Sequence, residues 1–202
     1  MFYLNIISIT IMVSQVFLMV SADAGKIKGF CRVHFTGSST LHKFDGTVTT
    51  QPFTANVPDR DVTVRDLDGV TIKTRVKDMD TGNKRMNRNM YEMFEAKDHP
   101  FITAAVVTSD GEGKGGTAKH EHGLAFDIKI RDIEKRIPAK VTETHRRPPR
   151  VEAQLRFSVS LKDFKLKPPT LFGILRVHDT VEVETRVILD LAPEKDQQKT
   201  AE

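Results

Sequence analysis

Over much of the chain the apolar positions recur at every second residue. Leu124, Phe126, Ile128 and Ile130 alternate with Ala125, Asp127 and Lys129, and Val151, Ala153, Leu155, Phe157, Val159 and Leu161 alternate with Glu152, Gln154, Arg156, Ser158 and Ser160. The same rhythm places Val181, Val183, Thr185, Val187, Leu189 and Leu191 on one side, opposite Glu182, Glu184, Arg186, Ile188 and Asp190. Ile27, Cys31, Val33 and Phe35 share a face in the same way. A period of two with one apolar and one polar face predicts antiparallel strands that cover a core on one side only. Shorter runs of strand character lie at 47–54, 62–64, 70–76, 102–108 and 137–144, giving eight or nine strands in all. Turns are marked by Asp68-Gly69, by the glycine-rich stretch 109–116 and by Arg147-Pro-Pro-Arg150, which reads as a basic hairpin tip.

One segment breaks the two-residue rhythm. Met86, Met90, Met93 and Phe94 stand at i, i+4, i+7 and i+8, which is one face of a helix over 83–94. Thr81 or Asn83 is placed to cap its start, Lys84, Arg88 and Glu92 occupy the opposite face, and His99-Pro100 lies past its end. Many strands and one helix around one core allow a closed barrel or a two-sheet sandwich. The barrel removes exposed edges, and about eight strands enclose enough space for one ligand. The expected fold is therefore an all-β antiparallel β-barrel of about eight strands, with one short helix capping or plugging an end.

Residues 6–20 are dominated by Ile, Val, Leu, Met and Phe and are followed by Ser21-Ala-Asp-Ala24. An apolar run shorter than the roughly 20 residues of a membrane span, ending at an Ala-x-Ala site, reads as a secretory signal cleaved after Ala24. That gives a signal at 1–24, one domain over 25–192, a polar tail at 193–202, and a periplasmic or secreted location. Removal of the signal takes Asp23 and no Lys or Arg, moving the formal charge from +4 to +5. A modest positive charge spread along the chain, Arg146, Arg147 and Arg150 included, suits transient contact with an anionic membrane surface. With no Trp and two Tyr in the chain, stacking platforms for nucleic acid are scarce, and no nucleic-acid partner is expected. The single cysteine, Cys31, has no internal disulfide partner and reads as a buried strand thiol, so stability must come from the apolar core.

Two kinds of site chemistry compete with simple binding. His120-Glu-His122 places two imidazoles on one face of a strand, a spacing that chelates Zn or Cu, although both follow a glycine-rich turn where exposed histidine is ordinary. Gly37-Ser-Ser-Thr40 with His42 has the residue types of a nucleophile and base. It lacks the Gly-x-Ser-x-Gly pattern, a following helix and an evident acid, and reads better as a hydroxyl-lined turn. No catalytic residue and no cofactor is expected, and the metal reading with His120 and His122 remains the alternative.

Three motifs then act together: Gly37-Ser-Ser-Thr-Leu-His-Lys-Phe-Asp-Gly46; Met79-Asp-Thr-Gly-Asn-Lys-Arg-Met-Asn-Arg-Asn-Met90 with Phe94 and His99-Pro100; and Pro168-Pro-Thr-Leu-Phe-Gly-Ile-Leu-Arg-Val-His-Asp-Thr-Val181. In this order and with these gaps the chain resembles the YceI-like family over about residues 27–191. The stretch 130–137, and the arginine-rich tip at 146–150, depart from the family pattern. The resemblance implies an extended lipocalin-like barrel, exported, that holds a polyisoprenoid, an isoprenoid quinone or a similar long-chain or fatty-acyl lipid without reacting it; a homodimer is left open. The candidate ligand contacts are Phe35, Phe44, Phe101, Phe126, Phe157, Phe164, Leu171 and Phe172, with Met86, Met90, Met93 and Phe94 from the helix, whose thioethers adapt to a flexible guest. A phosphate-bearing headgroup would find donors in Lys84, Arg85, Arg88 and Asn89.

Overall fold

Alternation of apolar and polar residues becomes a single curled sheet in the computed structural model, which describes residues 25–57, 62–109, 123–168 and 177–191. Its strands are β1 (Gly25–Ser38), β2 (Lys43–Thr49), β3 (Phe53–Val57), β4 (Thr71–Arg75), β5 (Phe101–Ser109), β6 (Gly123–Ile130), β7 (Ile133–Arg147), β8 (Arg150–Ser160) and β9 (Thr180–Asp190), with one helix, α1 (Lys84–Met93), between β4 and β5. The order across the sheet is β2-β1-β9-β8-β7-β6-β5-β4, and β3 pairs with the first part of β1. Every pairing is antiparallel. Leu124, Phe126, Ile128 and Ile130 of β6, Val151, Ala153, Leu155 and Val159 of β8 and Val183, Val187 and Leu189 of β9 all turn inward and are buried, as the periodicity requires. Ile188 departs from it: it lies on the outer parity between Phe30 and Glu152 and is nevertheless 2% exposed.

The sheet curls until its two ends meet. Just past β4, Asp80 forms an isolated bridge with Thr47 of β2, their amides and carbonyls bonding in both directions at 2.8 and 2.9 Å. Gln51 at the β2–β3 corner donates to the Lys73 carbonyl of β4 at 2.8 Å. Tight curvature on this side is permitted by three glycines, each directly opposite a phenylalanine: Gly29 with Phe53, Gly37 with Phe44 and Gly46 with Phe35. A glycine leaves room for the ring to lie over the strand, which keeps an otherwise bare position packed.

Two expected strands differ. The 47–54 run is broken into β2 and β3 at Thr50-Gln51-Pro52, because Pro52 has no amide to offer a ladder. Thr50 bridges the gap, donating its amide to the Cys31 carbonyl and accepting the Cys31 amide on its hydroxyl, both at 2.9 Å. The 62–64 run leads into a 3₁₀ turn, Val64–Leu67, instead of forming a strand. Thr63 caps that turn and Asp66 accepts the Thr63 amide at 2.7 Å, a reciprocal capping box. The turn buries Val62 and Leu67 across one end of the barrel, where Arg146 donates to the Val62 carbonyl at 2.8 Å. The segments 1–24 and 192–202 lie outside the described residues, and with them the expected signal and tail.

Candidate functional site

The inward-facing residues do not fill the barrel. They surround a cavity of about 440 Å³ that reaches from mid-barrel to the end carrying α1. Its walls are Cys31, Val33 and Phe35 of β1, Val48 of β2, Ile72 of β4, Ile102 and Ala104 of β5, Phe126, Ile128 and Ile130 of β6, Phe157 and Val159 of β8, and Val181 and Val183 of β9. The Phe126 and Phe157 rings meet at a centroid distance of 5.4 Å and a tilt of 52°, a favourable aromatic geometry that spans the intervening β7. The wall polar groups are Thr50, Thr74, Thr185 and the Cys31 thiol. Burial pushes the Cys31 thiol up to about 12, partly opposed by the Thr50 hydroxyl, so it stays protonated.

Helix α1 closes over this space because its sequence fixes both its start and its orientation. The Asn83 side chain accepts the amides of Arg85 and Met86 at 3.0 and 3.1 Å, capping the first turn. Asn87 then ties the helix to the preceding loop: it accepts the Thr81 amide and hydroxyl at 2.9 and 2.6 Å and donates to Asp80 Oδ1 at 2.7 Å. Tyr91 donates its hydroxyl to the Met79 carbonyl at 2.7 Å. With the helix so held, Met86, Met90, Met93 and Phe94 point at the cavity.

Polar groups gather at the rim. Ser39, His42, Thr81, Asn83, Arg85 and Asn89 border the opening, and Arg85 is the one charged side chain among the lining residues described. The Ser39 hydroxyl is used within the β1–β2 turn: it donates to the His42 carbonyl at 3.0 Å and accepts the His42 amide at 3.2 Å. That is the turn chemistry expected of this serine.

Of the expected ligand contacts, Phe35, Phe44, Met86, Met90, Met93, Phe94, Phe126 and Phe157 come together around the cavity. Phe101 does not. The inward parity of β5 belongs to Ile102 and Ala104, and the Phe101 ring lies outside, with the Arg75 guanidinium 5.6 Å from its centroid. Phe164 is fully buried in the turn after β8, behind Leu161 and Leu166, which take the lining positions. Leu171 and Phe172 lie outside the described residues, as do His120 and His122. Among the expected headgroup donors, Arg85 and Asn89 reach the rim, whereas Lys84 and Arg88 turn to solvent. Sequence reasoning missed Ile72, Ile102, Ala104, Ile128, Val159 and Val183; the inward parity of their strands was the signal that would have found them.

The chain matches the YceI-like domain over residues 18–189. Among solved structures, Burkholderia cenocepacia BcnA superposes with a TM-score of 0.55 at 12% identity, over 78% of this chain and 95% of its own. A polyisoprenoid binding domain from Saccharophagus degradans, implicated in plant cell wall breakdown, superposes with a TM-score of 0.55 at 13% identity, over 81% and 97%. At these identities the likeness is one of fold. No curated protein matches the chain.

Proposed function

Because the chain belongs to the YceI-like family, we propose that it is an exported carrier that holds one long apolar lipid, polyisoprenoid or fatty-acyl, in the barrel and leaves it chemically unchanged. The observation that carries this reading is the cavity itself: about 440 Å³ of space walled mainly by aliphatic, aromatic and methionine side chains, with its polar groups concentrated at one rim. That volume falls in the roughly 300–1,000 Å³ range of small-molecule sites, whose lining is characteristically apolar with a few polar groups to fix orientation. Each methylene transferred from water into such a wall gains about 0.8 kcal/mol, so a long hydrocarbon needs no specific polar contact to be held. The rim then orients the polar end of the lipid: Arg85 and Asn89 offer donors to a phosphate or quinone oxygen. The methionines suit a guest with several conformations.

Binding without turnover agrees with the state of the groups that face the guest. The Cys31 thiol is held protonated, and the Ser39 hydroxyl is committed to the turn it stabilises. Export is supported by the apolar run at 6–20 and the Ala22-Asp-Ala24 site.

The test is native mass spectrometry of the protein taken from its own exported fraction, followed by organic extraction, on the wild type and on Ala104→Phe. Ala104 lines the cavity between its strand partners Ile72 and Ile128, so a phenyl ring there occupies the guest's space. The wild type is expected to carry a discrete mass that extracts as a prenyl or acyl lipid, and the variant to lose it while keeping its far-ultraviolet circular dichroism. A wild type that is empty and takes up neither octaprenyl nor fatty-acyl lipid overturns the reading.

A further inference from the structure

The two ends of the barrel differ in a way that bears on where a lipid enters. At the covered end, the arginine-rich β7–β8 tip is largely engaged within the protein: Arg146 donates to the Val62 carbonyl at 2.8 Å and Arg150 pairs with Asp190 at 2.9 Å. At the open end, the β1–β2 turn stands beside the cavity. The Ser39 bonds that fix it lift Leu41 into solvent at 72% exposure, the highest of any large apolar side chain among the described residues. Residues on either side of Leu41, Ser39 and His42, border the opening. A lone exposed leucine on a surface is unremarkable; this one sits at the tip of a braced turn, at the mouth of an apolar cavity.

Charge at the same end is asymmetric. Lys43 follows the turn, and α1 begins Lys84-Arg85 and continues to Arg88, its one acid being Glu92 in the last turn. Cations in a first turn oppose the helix dipole, so local stability gives no reason for them there. All four are exposed, and none has an ion-pair partner among the described residues. Three of the acids at this end are occupied internally: Asp45 faces His34 at 3.4 Å, Asp80 accepts from Asn87 and the Gly82 amide, and Asp179 accepts from Ser160 and the Lys162 amide, while Glu92, Asp132 and Asp163 are exposed.

We propose that the mouth end docks on an anionic lipid bilayer, with Leu41 entering the boundary of the acyl chains and Lys43, Lys84 and Arg88 lying against headgroup phosphates. The proposal rests on the carriage reading above and adds the route to it. A long hydrocarbon pays for every methylene it exposes to water, so it leaves a membrane most readily where the acceptor's opening touches that membrane. A short apolar tip ringed by lysine and arginine is the chemistry that an anionic interface recognises. The Arg146–Arg150 tip, at the opposite end, has no part in it.

The experiment is co-sedimentation with vesicles of phosphatidylglycerol and phosphatidylcholine, compared with phosphatidylcholine alone, using the protein as it is recovered from the exported fraction. Every variant keeps the same N-terminus, so any contribution of residues 1–24 cancels. Leu41→Ser is expected to weaken binding to the anionic vesicles about tenfold or more. The triple neutralisation Lys43→Gln, Lys84→Gln, Arg88→Gln is expected to weaken it on the order of a hundredfold, whereas Lys140→Gln with Arg147→Gln leaves it unchanged. Unaltered binding in the Leu41→Ser and triple variants, or loss in the Lys140 and Arg147 variant, overturns the proposal. Native mass spectrometry of the same samples reads the cargo independently. Bound lipid without Leu41-dependent docking refutes the docking alone; an empty protein that cannot be loaded refutes the carriage reading whatever the vesicles show.

Discussion

Replacing Gly46 by alanine puts a methyl group where three atoms already stand. A Cβ built there presses into the edge of the Phe35 ring and lies 2.8 Å from the Asp80 carbonyl oxygen. Phe35 is buried and can retreat only into the cavity it lines. The Asp80 oxygen accepts the Thr47 amide in the bridge that joins the two ends of the sheet, so it yields only by weakening that bond. Overpacking of this kind costs about 1–3 kcal/mol, and a weakened backbone bond adds about 1 kcal/mol. The smaller chain entropy of alanine returns about 0.5–1 kcal/mol. The net expectation is a loss of about 2 kcal/mol, which at a urea slope of roughly 1–3 kcal/mol/M lowers the unfolding midpoint by about 1 M. Two companion variants make the test specific. At Gly37 the three nearest atoms all belong to the Phe44 ring, which is half-exposed at the mouth and free to swing, so Gly37→Ala should cost less than about 1 kcal/mol. At Gly25 nothing lies within 4 Å, and alanine there should be neutral or slightly stabilising. Urea titrations followed by circular dichroism, with slopes unchanged, give the ranking. If the Gly46→Ala midpoint equals that of Gly25→Ala, the packing of Phe35 and Asp80 against Gly46 is not what shapes this side of the barrel.

The remaining predictions concern titration. Asn87, and after it the Gly82 amide, hold the Asp80 carboxyl below its ordinary value of 3.8. Asn87→Ala should therefore lower the unfolding midpoint at neutral pH, and the gap from wild type should narrow as pH falls below 3.8 through the lowered value, where the wild type loses the same contribution; a gap independent of pH would contradict the assignment. For Cys31, burial raises the thiol from 9.0 to about 12. Stability from this group is complete below pH 9 and declines as pH rises from there toward 12, because the unfolded thiol ionises first. Cys31→Ala should flatten that decline, and iodoacetamide should label the native wild type only as fast as it unfolds.

Much of the fold could be read from the chain because a period of two leaves little freedom: once Leu124, Phe126, Ile128 and Ile130 face inward, their neighbours must face out. The helix was equally legible, its methionines spaced for one face and Asn83 set to cap it. Short segments were harder. The apolar run at 62–64 suits either a strand or a turn, and only the Thr63–Asp66 capping box decides it. Phe101 is an expected contact as one of several phenylalanines spread over the elements, yet counting back from Ile102 and Ala104 puts it on the outer face. Phe164 shows the complementary difficulty, since a large apolar side chain in a turn can seal the wall without touching the cavity. Whether the barrel is hollow depends on how distant strands curl, and no local pattern encodes that. The join between Thr47 and Asp80 is equally a product of the whole sheet.

That join has a mechanical consequence. In a barrel laddered all the way round, girth is set by the number and stagger of its strands. Between β2 and β4 the described residues supply three backbone hydrogen bonds in place of a ladder, Thr47 to Asp80 in both directions and Gln51 to Lys73. The circumference is therefore fastened along one line, like a hoop closed by a clasp, while β9, β8, β7 and β6 stand opposite as laddered staves, with one register shift between Val141 and Glu143. A wider molecule in the cavity strains the clasp before it strains the staves, so the width the cavity can admit is set by how far the side between β2 and β4 can give.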